Sequence, residues 1–308
     1  MDKKAKIFVA GHNGMVGSAI CRELRNCDYD NLILKDSKEL DLRNQQMVND
    51  FFKKFQPEYV FLAAAKVGGI MANSAFKADF IYDNLMIQNN IIYSSFKFGV
   101  NKLLFLGSSC IYPKMSPQPI KEEYLLSGYL ESSNEPYAIA KIAGLKLCEY
   151  FREQYQSNFI SLMPTNLYGF NDNFDLNNSH VLPALIRKFH EAKINNSDHV
   201  KLWGTGTPLR EFLFVDDLAE ACLFMMINYN ESMPLNIGTG KDLSILDLAE
   251  TIKDIVGFSG SVKWDSSKPD GTPRKLLDVS KVNSLGWQAK TKLGEGIKKT
   301  YEWYIQNN

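Results

Sequence analysis

The sequence has no excess of charge of either sign: 35 Lys and Arg face 35 Asp and Glu, and the formal net charge is +0. Without a basic surplus nothing recommends nucleic acid as a partner, and no charged tail is visible. Long hydrophobic runs are missing as well. No apolar stretch approaches the roughly 20 residues needed to span a bilayer, so no membrane partner is expected. Cysteine is sparse and unpatterned. The five residues Cys21, Cys27, Cys110, Cys148 and Cys222 are odd in number and include no C-x-x-C pair. That argues against a disulfide framework and a zinc site, and no metal is expected. The chain opens almost directly on the strand-like Lys6–Ala10, with no signal-peptide pattern before it. A reducing, cytoplasmic setting is the expectation. Internal repeats and low-complexity tracts are also absent.

What is present is enough for a sizeable core, since 45% of the 308 residues are apolar. In the first half, strand-like runs at Lys6–Ala10, Asn31–Leu34, Tyr59–Ala63, Lys102–Gly107 and Phe159–Met163 alternate with helical patterns. The helical patterns cover Met15–Asn26, Gln45–Phe55, Asp79–Phe98 and Tyr137–Tyr155. The alternation predicts an α/β fold, a doubly wound parallel sheet of Rossmann type covered by helices on both faces. After Asn166, loops rich in Asn, Asp, Gly and Pro at Gly169–His180, Trp203–Arg210 and Asp265–Arg274 separate further helical patterns. Those patterns lie at Pro183–Ala192, Val215–Ile227, Ile245–Val256 and Gly294–Tyr304. Residues 1–166 are expected to form a dinucleotide-binding domain. Residues 167–308 are expected to form mostly a smaller C-terminal substrate lobe, interleaved with the first. It would lie over the carboxyl ends of the strands, where open α/β sheets bind ligands.

Gly11-His-Asn13-Gly14-Met15-Val16-Gly17 follows the first strand and opens the first helix. Glycines there permit a tight turn and let backbone N–H groups approach a pyrophosphate at a helix N-terminus. The spacing is G-x-x-G-x-x-G, a variant typical of short-chain dehydrogenases and reductases. The cofactor's second phosphate is decided further on, in Leu34-Lys35-Asp36-Ser37-Lys38. Lys35 and Lys38 suit the 2′-phosphate of NADP(H); Asp36 suits the free 2′-hydroxyl of NAD(H). Two cations around one acid favour NADP(H).

Tyr137 and Lys141 stand four apart, on one face of a helix. A phenol ordinarily titrates at about 10 and a lysine at about 10.4. An ammonium beside the phenol is expected to lower its pKa, which suits proton exchange with a carbonyl. Ser108, just beyond a strand end, is placed to hydrogen-bond the oxygen being reduced.

The words around this centre resemble the GDP-L-fucose synthase branch of the extended short-chain dehydrogenase/reductase family. They include Ala64-Ala65-Lys66-Val67-Gly68-Gly69-Ile70, Gly107-Ser108-Ser109-Cys110-Ile111-Tyr112-Pro113-Lys114 and Asn134-Glu135-Pro136-Tyr137. Met163-Pro164-Thr165-Asn166-Leu167-Tyr168-Gly169 and Lys268-Pro269-Asp270-Gly271-Thr272-Pro273-Arg274-Lys275 continue the match along nearly the whole chain. The resemblance implies a GDP-linked 4-keto-6-deoxy sugar as substrate, epimerised at C3 and C5 and then reduced at C4 with NADPH, and usually a homodimer. It implies that Cys110 is the base and His180 the acid of the epimerisation. Read without it, the plainer readings lead: Cys110 as a small core residue and His180 as a solvated one. It places cofactor contacts also at Asp41, Leu42, Ala63, Ala64, Ala65, Pro164, Asn166, Leu167 and His180. Substrate contacts fall to Ser108, Ser109, Asn166, Val181, Lys188, Trp203, Arg210 and Lys275, with Arg210 on the diphosphate. The plain alternatives are core packing for Trp203 and a surface ion pair for Arg210. The chain departs from the family pattern at Asn13 and Ser37, where arginines are usual, and at Lys188 and Phe214. Those departures are compatible with a dedicated C4-reductase of another GDP-4-keto sugar, such as a heptose. A non-catalytic NAD(P)-binding scaffold is the alternative of a different class.

Overall fold

The computed structural model describes residues 1–176, 178–268 and 270–308; Asn177 and Pro269, in two of the loops read above, lie outside them. In chain order the elements of the first half are β1 (Ile7–Ala10), α1 (Met15–Asn26), β2 (Leu32–Ile33), α2 (Gln45–Phe55), β3 (Tyr59–Leu62), α3 (Ile70–Ala75), α4 (Lys77–Lys97), β4 (Lys102–Leu106), α5 (Glu135–Tyr155) and β5 (Phe159–Pro164). Then follow β6 (Asn166–Tyr168), α6 (Val181–Ile194), β7 (His199–Trp203), β8 (Leu209–Phe214), α7 (Val215–Asn228), β9 (Leu235–Ile237), β10 (Asp242–Ser244), α8 (Ile245–Val256), β11 (Ser261–Asp265), β12 (Arg274–Lys275), α9 (Ser280–Ser284) and α10 (Leu293–Asn307).

A six-stranded sheet in the order β2-β1-β3-β4-β5-β9 is parallel throughout. Its central strands are buried along their length because both faces are covered, which is why they read as unbroken apolar runs. One face packs Ile20 and Leu24 of α1 with Leu218, Cys222 and Met225 of α7. The other packs Phe51 and Phe52 of α2, Ile91 and Ile92 of α4, and Leu145 of α5. The strand order reverses between β1 and β3, so a crevice opens at their carboxyl ends. Buried Lys102 of β4 ties α7 down, donating to the carbonyls of Met225 and Met226 and to Asn230 Oδ1, at 2.7–3.1 Å.

The second half contributes β9 to that sheet and builds a third core from Leu185 and Phe189 of α6, Leu248 and Ile252 of α8, and Ile297 of α10. Around it β8 pairs with β6, β10 and β12, and β7 pairs with β11. β6, β8, β10 and β12 carry no alternation long enough to read; β7 does alternate, Val200 and Leu202 inward against Lys201 and Trp203 outward, a signal the sequence reading passed over. The loops expected at Trp203–Arg210 and Asp265–Arg274 each run from the end of one strand into the start of another. Helices also begin earlier than the apolar pattern suggests: α5 starts at Glu135 and α6 at Val181. Among the described residues no helix is long and apolar enough to cross a membrane.

Candidate active site

Gly11 and Gly17 make the turn after β1 possible. Gly11 sits at φ +87°, and a Cβ on it would stand 2.7 Å from the Ala64 nitrogen; one on Gly17 would stand 2.0 Å from the Gly11 oxygen. The turn is thereby clamped between α1 and the Ala63–Ala64–Ala65 segment leaving β3. Gly14, the N-cap of α1, offers no side chain to the helix's first amides, those of Met15, Val16 and Gly17. Beside Asn13, His12 keeps a buried Nδ1 with no partner among the described residues. Free amides at a helix N-terminus and an orphaned ring nitrogen fit a dinucleotide pyrophosphate.

The segment expected to meet the ribose carries more counter-charge than the sequence suggests. Lys35 is paired with Glu39, and Asp36 spends its carboxylate on the amides of Lys38 and Glu39, at 2.8 and 3.0 Å. Asp41 is gripped by Arg43 at 2.9 and 3.0 Å, and the Leu42 carbonyl accepts from Asn90. A phosphate at Lys35 therefore has to displace Glu39.

At the carboxyl end of β4, Ser108 caps a short turn and its Oγ accepts from the Cys110 amide at 3.3 Å. Tyr137 and Lys141 rise from the first turns of α5, which Gln88 of α4 braces by donating to the Ala140 carbonyl at 2.6 Å. Lys141 is 3% exposed; its Nζ donates to the Leu106 carbonyl at 2.7 Å and lies 5.7 Å from the Tyr137 ring centroid. The electrostatics differ from the sequence-based expectation. Burial pushes the Tyr137 phenol up, with Cys110 adding to the rise, and brings Lys141 down to about 8. The ammonium is committed to a backbone carbonyl rather than to the phenol, so loss of hydration dominates both groups.

Cys110 lies on the floor of the same cleft. Its thiol is pushed up by burial, while Lys275, Ser108 and Lys141 pull it back down. His180, the N-cap of α6, is exposed by area but hemmed in by surrounding protein; its imidazole is lowered by that desolvation and then by the cation of Lys275. Neither shift alone favours the base and acid roles at neutrality; Lys275 acts on both residues and works against burial only at the thiol. Two long-range contacts bring these residues together. The Gly69 amide donates to the Asn178 carbonyl at 2.8 Å, docking the loop that ends in His180. Glu211 of β8, 0% exposed, accepts from the amides of Thr239, Gly240 and Leu277 at 2.6, 2.7 and 3.0 Å, fixing the strand that carries Lys275.

Toward the outer end, Trp203 is 54% exposed, so it is not a core residue; the ammonium groups of Lys188 and Lys268 lie 5.9 and 5.5 Å from its ring centroid. Arg210 is half-buried beside Asp270 and Glu131, its Nη1 donating to its neighbour's carbonyl at Leu209, and Lys275 is its register partner on β12. Val181 faces solvent at the head of α6, Ser109 is buried beside Cys110, and Asn166 donates to the Glu211 carbonyl at 2.7 Å. Pro164 ends β5 and Leu167 lies in β6 next to it. Sequence reading missed His12, Glu131, Asn134 and Glu211. A histidine inside the glycine turn was a usable signal; Glu211 offered none, because a glutamate in a short strand looks solvated. Among the described residues no group of His, Cys, Asp and Glu is arranged to hold a metal.

A glycine turn at the switch point of a parallel sheet, with a serine, a tyrosine and a lysine converging beyond the next strands, defines a dinucleotide-dependent oxidoreductase of the short-chain type. The chain belongs to the NAD dependent epimerase/dehydratase family, whose model matches residues 7–238. It is 59% identical over 306 residues to GDP-L-fucose synthase 1 of Arabidopsis thaliana, covering 99% of this chain and 95% of that protein. Among solved structures it is similar to a GDP-6-OMe-4-keto-L-xylo-heptose reductase from C. jejuni, at TM-score 0.96 and 44% identity, covering 100% and 99% of the two chains. It is also similar to a GDP-mannoheptose C4 reductase from Campylobacter jejuni with NADP bound, at TM-score 0.92 and 46% identity, covering 99% of each chain.

Proposed function

We propose that this chain reduces the C4 ketone of a GDP-linked 4-keto-6-deoxy sugar with NADPH, after epimerising C3 and C5 in the same cleft. The observation that supports the reading is that Cys110 lies within electrostatic reach of both Tyr137 and Lys141, and that the cation of Lys275 acts on both Cys110 and His180. Protons beside a ketone are acidic because the carbanion delocalises into an enolate. Cys110 removes such a proton as thiolate, its charge supported by Lys275 and Lys141, and His180 returns one to the opposite face. In the reduction Tyr137 gives its phenolic proton to the C4 oxygen, Ser108 donates a hydrogen bond to that oxygen, and Lys141 steadies the resulting phenolate. NADPH, when bound, supplies the hydride. Residues 1–166 hold the dinucleotide through Gly11–Gly17, Ala63–Ala65 and Lys35. Residues 167–308 hold the GDP-sugar, with Arg210 on the diphosphate and Trp203, Val181 and Lys188 around the nucleotide and sugar.

The test uses solvent deuterium. Enzyme and GDP-4-keto-6-deoxy-mannose are incubated without reduced cofactor, and label at C3 and C5 is expected; label at neither carbon would overturn the two-step reading. A dedicated C4 reduction of a GDP-heptose is the second reading. It is favoured by the TM-score of 0.96 to a heptose reductase and by Lys188 and Phe214, which depart from the synthase pattern.

The protein acts as a homodimer in this reading. Exposed Tyr82, Tyr93, Tyr150, Tyr155 and Ile139 on the outer surfaces of α4 and α5 support it, and sedimentation at micromolar concentration checks it. Five free thiols suit a reducing cytoplasm.

A further inference from the structure

Asparagine at a helix N-cap ordinarily accepts a hydrogen bond from the second or third amide of the helix. Asn134 is the N-cap of α5 and makes no such bond; its Oδ1 is buried and has no partner among the described residues. The side chain instead lines a cavity of about 30 Å³ together with Cys110, Glu131 and Lys275. A cavity of this kind needs about 10–15 Å³ to hold one water, so this one admits a hydroxyl-sized group with little room beyond it. Several polar groups of the lining are already committed: the Tyr112 hydroxyl donates to Asn236 Oδ1 at 2.7 Å, Gln118 accepts from the Leu276 amide at 2.8 Å, and Arg274 is paired with Asp242 at 2.6 Å. Glu131 lies 2.8 Å from Lys114, and Lys275 is left with Asn134 to meet a ligand. A carboxamide withheld from its own helix, beside the thiol that works on the sugar ring, points to a ligand group.

We propose that this cavity is a hydroxyl-reading subsite, in which Asn134 bonds one hydroxyl on the edge of the sugar that faces Cys110 and so helps decide which 4-keto sugar is turned over. The inference rests on the reading of the cleft as a GDP-4-keto-sugar site. A hydroxyl both donates and accepts, so it satisfies either end of the carboxamide; a methylene or methyl there leaves a buried polar atom bare. Sites built this way reject analogues lacking the hydroxyl far more strongly than apolar pockets reject a missing methylene.

The test is kinetic, with enzyme saturated in NADPH and a set of substrates: GDP-4-keto-6-deoxy-mannose and its analogues lacking one ring hydroxyl. Asn134→Leu is expected to lower kcat/KM by about 10–100-fold on the full substrate. On the analogue missing the hydroxyl that Asn134 reads, the same variant should change the rate by less than about twofold. Asn134→Asp, which keeps an acceptor, should restore much of the loss, and NADPH affinity should stay constant in both variants. Equal losses on every substrate, or no loss on any, would overturn the subsite while leaving the parent reading intact. A wild-type enzyme inert on all GDP-4-keto sugars would overturn the parent reading, and the subsite with it.

Discussion

The two ends of the cleft are assembled differently. Ser108, Tyr137 and Lys141 come from β4 and α5, which pack directly, so their arrangement follows from one strand, one helix and the Gln88 brace between α4 and α5. Cys110, His180 and Lys275 come from three segments far apart in the chain, held by the Gly69–Asn178 contact and by the buried carboxylate of Glu211. The first group is a local device, the second a long-range one. Cys110 itself sits on the turn after β4 that packs on α5, so only His180 and Lys275 are placed by long-range ties, and in the proposed mechanism a loss of those ties would weaken epimerisation more than reduction.

The largest expected effect separates the two ends at the first. Tyr137→Phe removes the proton donor and should slow reduction by about 10²–10⁴-fold. Deuterium exchange at C3 and C5 should persist within a few-fold, and NADPH titration should be unchanged. If exchange fell in step with reduction, the two ends would be one functional unit and the comparison would break. A smaller effect acts on the other end. Glu211→Gln puts an NH₂ where an amide donor now meets a carboxylate oxygen, at a cost of about 2–4 kcal/mol in urea unfolding. Loosening the Leu277 amide frees the strand of Lys275, so exchange should drop by about 10–100-fold and reduction by only a few-fold. Equal losses would mean that Glu211 supports the whole cleft rather than one side of it.

The same contrast explains what was legible beforehand. Met15–Asn26, Gln45–Phe55 and Ile245–Val256 match their helices because amphipathic faces and turn residues mark both ends. The central strands were legible because burial on both faces leaves an apolar run. Strands β6, β8, β10 and β12 were not, since two to six residues of mixed character carry no period and take their identity from the pairing of β6, β10 and β12 with β8. At the site, Tyr137 and Lys141 announce themselves by helical spacing. Asn134 reads as an ordinary helix cap, and only its missing cap bond sets it apart. The electrostatics were the least legible part. Spacing suggests an ammonium acting on a phenol, but how deeply both are buried, and that Lys141 turns to the Leu106 carbonyl, are properties of the packed cleft.

That electrostatic difference yields the smallest and sharpest test. Burial brings Lys141 down to about 8, so its ammonium is complete below that value and is lost as pH rises through it. In the proposed mechanism reduction needs the cation; its kcat/KM, which reports groups of the free enzyme, should therefore fall roughly tenfold between about pH 7.5 and 9. Burial holds the Cys110 thiol above its ordinary range, so thiolate is scarce at neutrality and its share grows as pH rises. Deuterium exchange at C3 and C5 should consequently rise with pH while reduction declines. Measuring both rates on one preparation across this range, with Cys110→Ser to remove the rising limb, gives two slopes of opposite sign if the gain in thiolate outweighs the support that Lys141 withdraws as it loses its charge. Parallel slopes would mean that a single ionisation governs the cleft, and Lys141 would then have to be charged through contact with Cys110 rather than neutralised by its burial.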